Sequence, residues 1–182
     1  MSIVLVGSTS GSITLQEPAV AGTTVLTLPA VTGTVLTDTS PKAGNVIQVV
    51  QGTATNASTT SSTFVTTGLS ASITPSASSS KILVKAVLAD VYNGNTAQAG
   101  TFTIVRGSTN IAPNGSGANQ AFAYYWTNAS GPFQTALAFN YLDSPSTTSS
   151  TTYTIHFATA GGTLYTSING QTNTIILMEI AA

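Results

Sequence analysis

Along residues 45–182 the apolar side chains recur at every second position in short runs, and no stretch carries them at the 3.6-residue spacing of an amphipathic helix. Alternation is clean in Thr101-Phe102-Thr103-Ile104-Val105 and in Tyr153-Thr154-Ile155-His156-Phe157, which predicts strands with one buried face. Nine strands are predicted in all: Val46 to Val50, Thr63 to Thr67, Ile82 to Tyr92, Thr101 to Arg106, Ala121 to Trp126, Ala136 to Leu142, Tyr153 to Ala158, Thr163 to Ile168 and Thr174 to Ile180. Ile175-Ile176-Leu177-Met178 is continuously apolar and is expected to be covered on both faces. Turn-forming pairs fill the gaps, among them Asn93-Gly94, Gly161-Gly162 and Asn169-Gly170. Strands at this spacing predict a β-sandwich, either a jelly roll or an immunoglobulin-like domain, and the Cys-Trp-Cys signature of the latter is absent. Two polar stretches, Gly52 to Ser62 and Ser70 to Ser80, are expected to be loops or an extended arm.

The first 44 residues follow a different rule. Glycines fall at Gly11, Gly22, Gly33 and Gly44, eleven residues apart, and PAVAGT (Pro18 to Thr23) returns almost unchanged as PAVTGT (Pro29 to Thr34). Each copy follows an alternating segment, Ile13-Thr14-Leu15 and then Val25-Leu26-Thr27-Leu28. So small a unit cannot bury its own apolar stripe. Either copies of the chain wind these segments together, burying Ile13, Leu15, Leu26 and Leu28 along a shared axis, or the strands join the sheet of the following domain. The expected division is therefore 1–44, the repeat, and 45–182, the sandwich.

Composition removes most chemistry. Only 4 Lys and Arg and 5 Asp and Glu occur in 182 residues, for a net charge of −1, so no basic surface exists to hold nucleic acid or an anionic membrane. There is no cysteine and one histidine, which excludes thiol nucleophiles and Cys-ligated metals and points to no cofactor and no metal. Ser and Thr supply 55 positions, but Leu, Ile, Val and Phe still supply 44, enough for a folded core under a hydroxyl-rich surface. The N-terminus has no positive stretch or long apolar core, and no run approaches the ~20 residues of a membrane-spanning helix, so a soluble chain without a leader is expected.

GSITLQEPAVAGTTVLTLPAVTGTVLT, from Gly11 to Thr37, resembles the N-terminal segments of tail-fibre and head-decoration proteins of tailed bacteriophages. Ser78 to Leu88 (SSSKILVKAVL), Tyr141 to Phe157 (YLDSPSTTSSTTYTIHF) and Thr172 to Ala182 (TNTIILMEIAA) are similar to their trimeric jelly-roll knob of the complement and tumour-necrosis-factor-like type. The resemblance implies an all-β, homotrimeric, non-enzymatic protein of the virion surface. It also implies a capsid decoration (cement) or short head-fibre role, with copies of itself and the major capsid or tail and connector proteins as partners. The alternative it leaves is a receptor-binding fibre knob that recognises host surface polysaccharide.

Few residues compete for chemistry. Asp90 and Asp143 are the best carboxylate pair for glycoside hydrolysis, but Asp143 precedes Ser144-Pro145, where a turn cap is expected, and Asp90 is expected to end a strand or pair with a nearby cation. His156 falls on the polar face of its strand and is expected to be an ordinary polar-face histidine; the sharper alternative is that three copies near an axis bind a metal ion or make a trimer sensitive to pH. Tyr124, Tyr125 and Trp126 form the densest aromatic cluster, with Tyr124 and Trp126 on one face; core or interface packing is expected, and they are also the candidate glycan contacts. Asn56-Ala57-Ser58, Asn114-Gly115-Ser116 and Asn128-Ala129-Ser130 match the glycosylation pattern and are expected in loops.

Overall fold

A computed structural model describes residues 3–6, 9–15, 42–95, 97–112, 120–127 and 133–182. The chain divides into two units, 1–35 and 36–182. In the first, β1 (Ile3–Val6) and β2 (Ser12–Leu15) form an antiparallel hairpin in which Ile3 is opposite Leu15 and Val6 opposite Ser12. Gly11, just before β2, has φ +81°, a left-handed conformation that glycine adopts without steric cost. Gly44, the fourth glycine of the eleven-residue series, does the same at φ +87°. Ile13 and Leu15 thus lie on β2, while Leu26 and Leu28 lie outside the described residues.

The second unit is all-β. Its strands are β3 (Val46–Ala54), β4 (Ala57–Thr59), β5 (Val65–Ile73), β6 (Lys81–Asn93), β7 (Ala99–Arg106), β8 (Thr109–Asn110), β9 (Ala123–Trp126), β10 (Gln134–Asp143), β11 (Thr151–Thr159), β12 (Leu164–Thr166) and β13 (Asn173–Ile180). One sheet runs β3-β13-β6-β10, with β12 and β4 extending it beside the far end of β6. The other runs β5-β11-β7, with β8 and β9 along the remaining edge of β7. Every pairing among the described residues is antiparallel, and β3 and β5, β6 and β7, β9 and β10, and β11 and β13 lie in opposite sheets. This is the jelly-roll form of the β-sandwich.

Alternation explains why these segments pair as they do. In β5 the residues Leu69, Ala71 and Ile73 point inward, and in β6 Ile82, Val84, Ala86 and Leu88 do the same. They meet Phe102 and Ile104 of β7, Tyr153, Ile155 and Phe157 of β11, and Ile175 and Leu177 of β13 in one core. Each large apolar side chain buried there contributes roughly 1.5–3 kcal/mol. At one place the sheets approach so closely that only glycine fits: a Cβ on Gly52 of β3 would overlap the backbone carbonyl oxygen of Ser70 on β5.

Several expectations are corrected. The polar stretches at 52–62 and 70–80 are partly strand, because β3 continues to Ala54, β4 occupies Ala57–Thr59 and β5 continues to Ile73. On β5 the hydroxyls occupy outward positions of a regular alternation, Ser70 and Ser72 between Leu69, Ala71 and Ile73, whereas on β4 Thr59 is itself buried. Asn56-Ala57-Ser58 consequently enters a strand, while residues 114–116 and 128–130 lie outside the described residues. Ile175 to Met178 is not covered on both faces: Ile175 and Leu177 are in the core, but Ile176 and Met178 point outward and are half-buried.

Candidate interaction surfaces

The outward apolar side chains of β13 have neighbours of the same kind. Met178 is opposite Val49 on β3 and Leu83 on β6, and Leu83 is opposite Leu142 on β10, so one apolar row crosses the whole outer face of the sheet. Val49 and Leu142, at its two ends, are exposed. Beside it lies Ile180, level with exposed Val46 and with Lys81, and two positions the other way lies Ile176, level with Lys85. Further along, exposed Val87 continues the apolar surface. A sheet face that turns Val, Leu, Ile and Met toward solvent departs from the hydroxyl-covered exterior seen elsewhere and is a candidate interaction surface.

Among the described residues of this unit, charge is one-sided. Lys42, Lys81 and Lys85 are exposed, whereas Asp90, Asp143 and Glu179 are buried. Asp143 is not a turn cap: both its oxygens accept hydrogen bonds from Arg106 Nη1, at 2.9 and 2.8 Å, and Oδ2 also accepts from the Tyr153 hydroxyl at 2.7 Å. Burial, the hydrogen bond to Asp143 and the charge of that carboxylate together push the Tyr153 phenol far above its usual range. Glu179 is fully buried and accepts from Gln48 Nε2 at 2.6 Å and from the Ser76 amide and hydroxyl at 2.7 and 2.6 Å. Burial alone would raise its pKa, but the hydrogen bonds from Gln48, Ser76 and Ser80 outweigh burial and hold it below the usual value. Asp90 meets no Lys or Arg; its partners are the side-chain amides of Gln134 and Asn169.

Asp90 and Asp143 cannot act together. Asp143 is level with Ile82, eight residues before Asp90 on the same strand, a separation of about 25 Å at roughly 3.3 Å per residue. Glycoside hydrolysis needs two carboxyls within about 10 Å. Among the described residues no three His, Asp or Glu side chains converge as metal ligands.

The aromatic cluster divides across β9. Tyr125 is 3% exposed, points inward and stacks on Phe133 with centroids 6.4 Å apart; burial pushes its phenol pKa up. Tyr124 and Trp126 point outward at 55% and 65% exposure, level with Thr101 and Ala99 on β7. Of the three candidate glycan contacts, Tyr125 is therefore buried, and Tyr124 and Trp126 share the outward face. Tyr124 walls a shallow hollow of about 190 Å³ whose lining mixes the hydroxyls of Ser62, Thr101 and Thr159 with the methyls of Ala99, Ala158 and Ala160. His156 lies on the outward face of the same sheet, level with Thr66 and Thr103, and is half-buried; burial lowers its pKa against an opposing hydrogen bond to the Phe64 backbone.

No protein-family model and no curated protein matches the chain. Among solved structures, it is similar to that of infectious bursal disease virus Gt strain, at 16% identity and TM-score 0.42, over 98% of this chain and 46% of that one. It is similar also to that of the Gx strain, at 15% identity and TM-score 0.38, over 94% of this chain and 43% of that one. The chain spans less than half the length of either.

Sequence reasoning did not find the apolar row. Its signal was present in Ile175 to Met178, since a continuous apolar run in a strand of a two-layer sandwich has to expose one of its faces. The cross-strand partners Val49, Leu83 and Leu142 come from distant parts of the chain, and only the register aligns them.

Proposed function

We propose that this protein is a non-enzymatic structural component of a virus particle, a homotrimer that decorates or stabilises the particle surface. The observation that carries the assembly is the apolar row Val49-Met178-Leu83-Leu142 across the outer face of the β3-β13-β6-β10 sheet. Association that covered it would remove several large apolar side chains from water, at about 25 cal/mol per Å². Jelly-roll connectivity and the resemblance of the 11–37 and 141–157 segments to trimeric phage virion proteins support the same reading. So does an exterior with few charges, since charged side chains are depleted where proteins pack against one another.

Light scattering on the purified chain tests the oligomer. A mass of three times 18.3 kDa is expected, with Val49→Glu and Leu142→Glu shifting it toward the monomer. Binding to capsid shells stripped of accessory proteins tests the virion role. A wild-type monomer that ignores such shells overturns the reading.

Outward-facing Trp126, with Tyr124 on the same face of β9, favours a second reading, a knob that binds neutral host polysaccharide by stacking. Saturable quenching of Trp126 fluorescence by host polysaccharide, lost in Tyr124→Ala, is its expected signature. A flat titration removes it.

A further inference from the structure

Asp90 is 3% exposed, and an ionised carboxylate that deep requires compensation. The chain has four cationic side chains: Arg106 is committed to Asp143, and Lys42, Lys81 and Lys85 are exposed elsewhere. Asp90 Oδ2 accepts from Gln134 Nε2 at 2.7 Å and from Asn169 Nδ2 at 3.4 Å, while Oδ1 is buried with no hydrogen-bond partner. The three side chains come from β6, β10 and the turn before β13, so the fold gathers them from distant sequence.

The backbone is arranged around this point. Thr135 pairs with Val91 but Leu137 pairs with Leu88, so β6 carries an extra residue at Ala89-Asp90, a bulge of the kind that re-aims a side chain. On the other edge of β6 the partner changes from β13, ending at Val87, to β12, beginning at Val91. That gap is bridged by the Ala89 amide donating to Asn173 Oδ1 at 2.9 Å and the Ser167 amide donating to the Asp90 carbonyl at 2.7 Å.

We propose that Asp90, Gln134 and Asn169 form a binding site for a calcium-like divalent cation. Calcium accepts carboxylate, amide carbonyl and water oxygens at 2.3–2.6 Å in flexible geometry, and neighbouring ligand oxygens then stand roughly 3 Å apart. Rotating either amide by half a turn exchanges its nitrogen for its oxygen, which places a carbonyl oxygen close to that spacing from Asp90 Oδ2. The orphaned Oδ1 becomes a direct ligand. A single carboxylate gives weak binding, of order 0.1–1 mM, so the cation acts as a structural clip between β6, β10 and the 167–172 turn.

Thermal unfolding of the full chain in chelator and in increasing CaCl2 tests this inference, independently of the virion reading. Wild type is expected to gain about 3 °C, saturating in the millimolar range. Asp90→Asn should lose the response, and Asn169→Ala, at an exposed turn position, should need several-fold more calcium while keeping its circular dichroism spectrum. No saturable gain, an equal gain in NaCl of matched ionic strength, or an unchanged calcium response in both variants overturns the proposal.

Discussion

Asp143 and Glu179 stand level with each other on either side of Ile82, on β10 and β13, and each reaches out of its own sheet to the other. Asp143 is held by Arg106 of β7 and Tyr153 of β11, and Glu179 by Ser76 just beyond β5. Two carboxylates thus close one end of the sandwich, where the apolar core runs out and charge is reachable by polar partners from the opposite layer.

Removing one partner of a buried ion pair strands the other. Arg106→Met leaves buried Asp143 with only the Tyr153 hydroxyl, and we expect a loss of about 2–3 kcal/mol, at the low end for buried pairs because Arg106 is itself partly exposed. Asp143→Asn should cost less, since Arg106 retains access to water. Urea denaturation of both variants checks the order.

Glu179 makes stability depend on acid. Its folded pKa lies below the reference value of 4.5, so its contribution is full above pH 4.5 and is lost as pH falls through the lowered folded value. Glu179→Gln should be less stable near neutrality and show a flatter acid limb. Melting temperature against pH, from 7 downward, reads both effects.

His156 has the opposite protonation chemistry but the same direction. Because burial lowers its folded pKa below 6.5, the unfolded chain takes up the proton first, and stability falls as pH drops through 6.5 until the folded value is passed. His156→Gln should remove this step. Since His156 lies on the outward face of the β5-β11-β7 sheet and the apolar row lies on the other sheet, oligomer mass should not change across the same range.

Gly52 tests how tightly the layers fit. Gly52→Ala forces a methyl group into the Ser70 carbonyl and should cost about 3 kcal/mol, because the methyl is fixed directly to one strand's backbone and meets the backbone of another, and neither can rotate away. Gly68→Ala, at φ +79° with open space around it, should cost only about 1–2 kcal/mol for the left-handed conformation. Chemical denaturation of the pair separates steric overlap from backbone strain.

Strand positions were legible where apolar residues alternate, as in β7 and β11, because the two-residue period is a local property of an extended chain. They were not legible in Ala57–Thr59, where small residues and hydroxyls fill every position, or in the second half of β5, where the alternation of Leu69, Ala71 and Ile73 with Ser70 and Ser72 runs straight into a serine-rich stretch. The aromatic cluster was found, including the shared face of Tyr124 and Trp126, yet which face was solvent depended on the layer opposite.

The sequence by itself determined an all-β sandwich, poor in charge, with its glycines and turns in place, since composition and periodicity act through neighbouring residues. Tertiary structure alone decided the partners: Arg106 for Asp143, Gln134 and Asn169 for Asp90, and the alignment of Val49, Met178, Leu83 and Leu142. The reason is register. Antiparallel pairing brings together residues tens of positions apart, and a slip of one residue in any strand would turn its side chains to the opposite face.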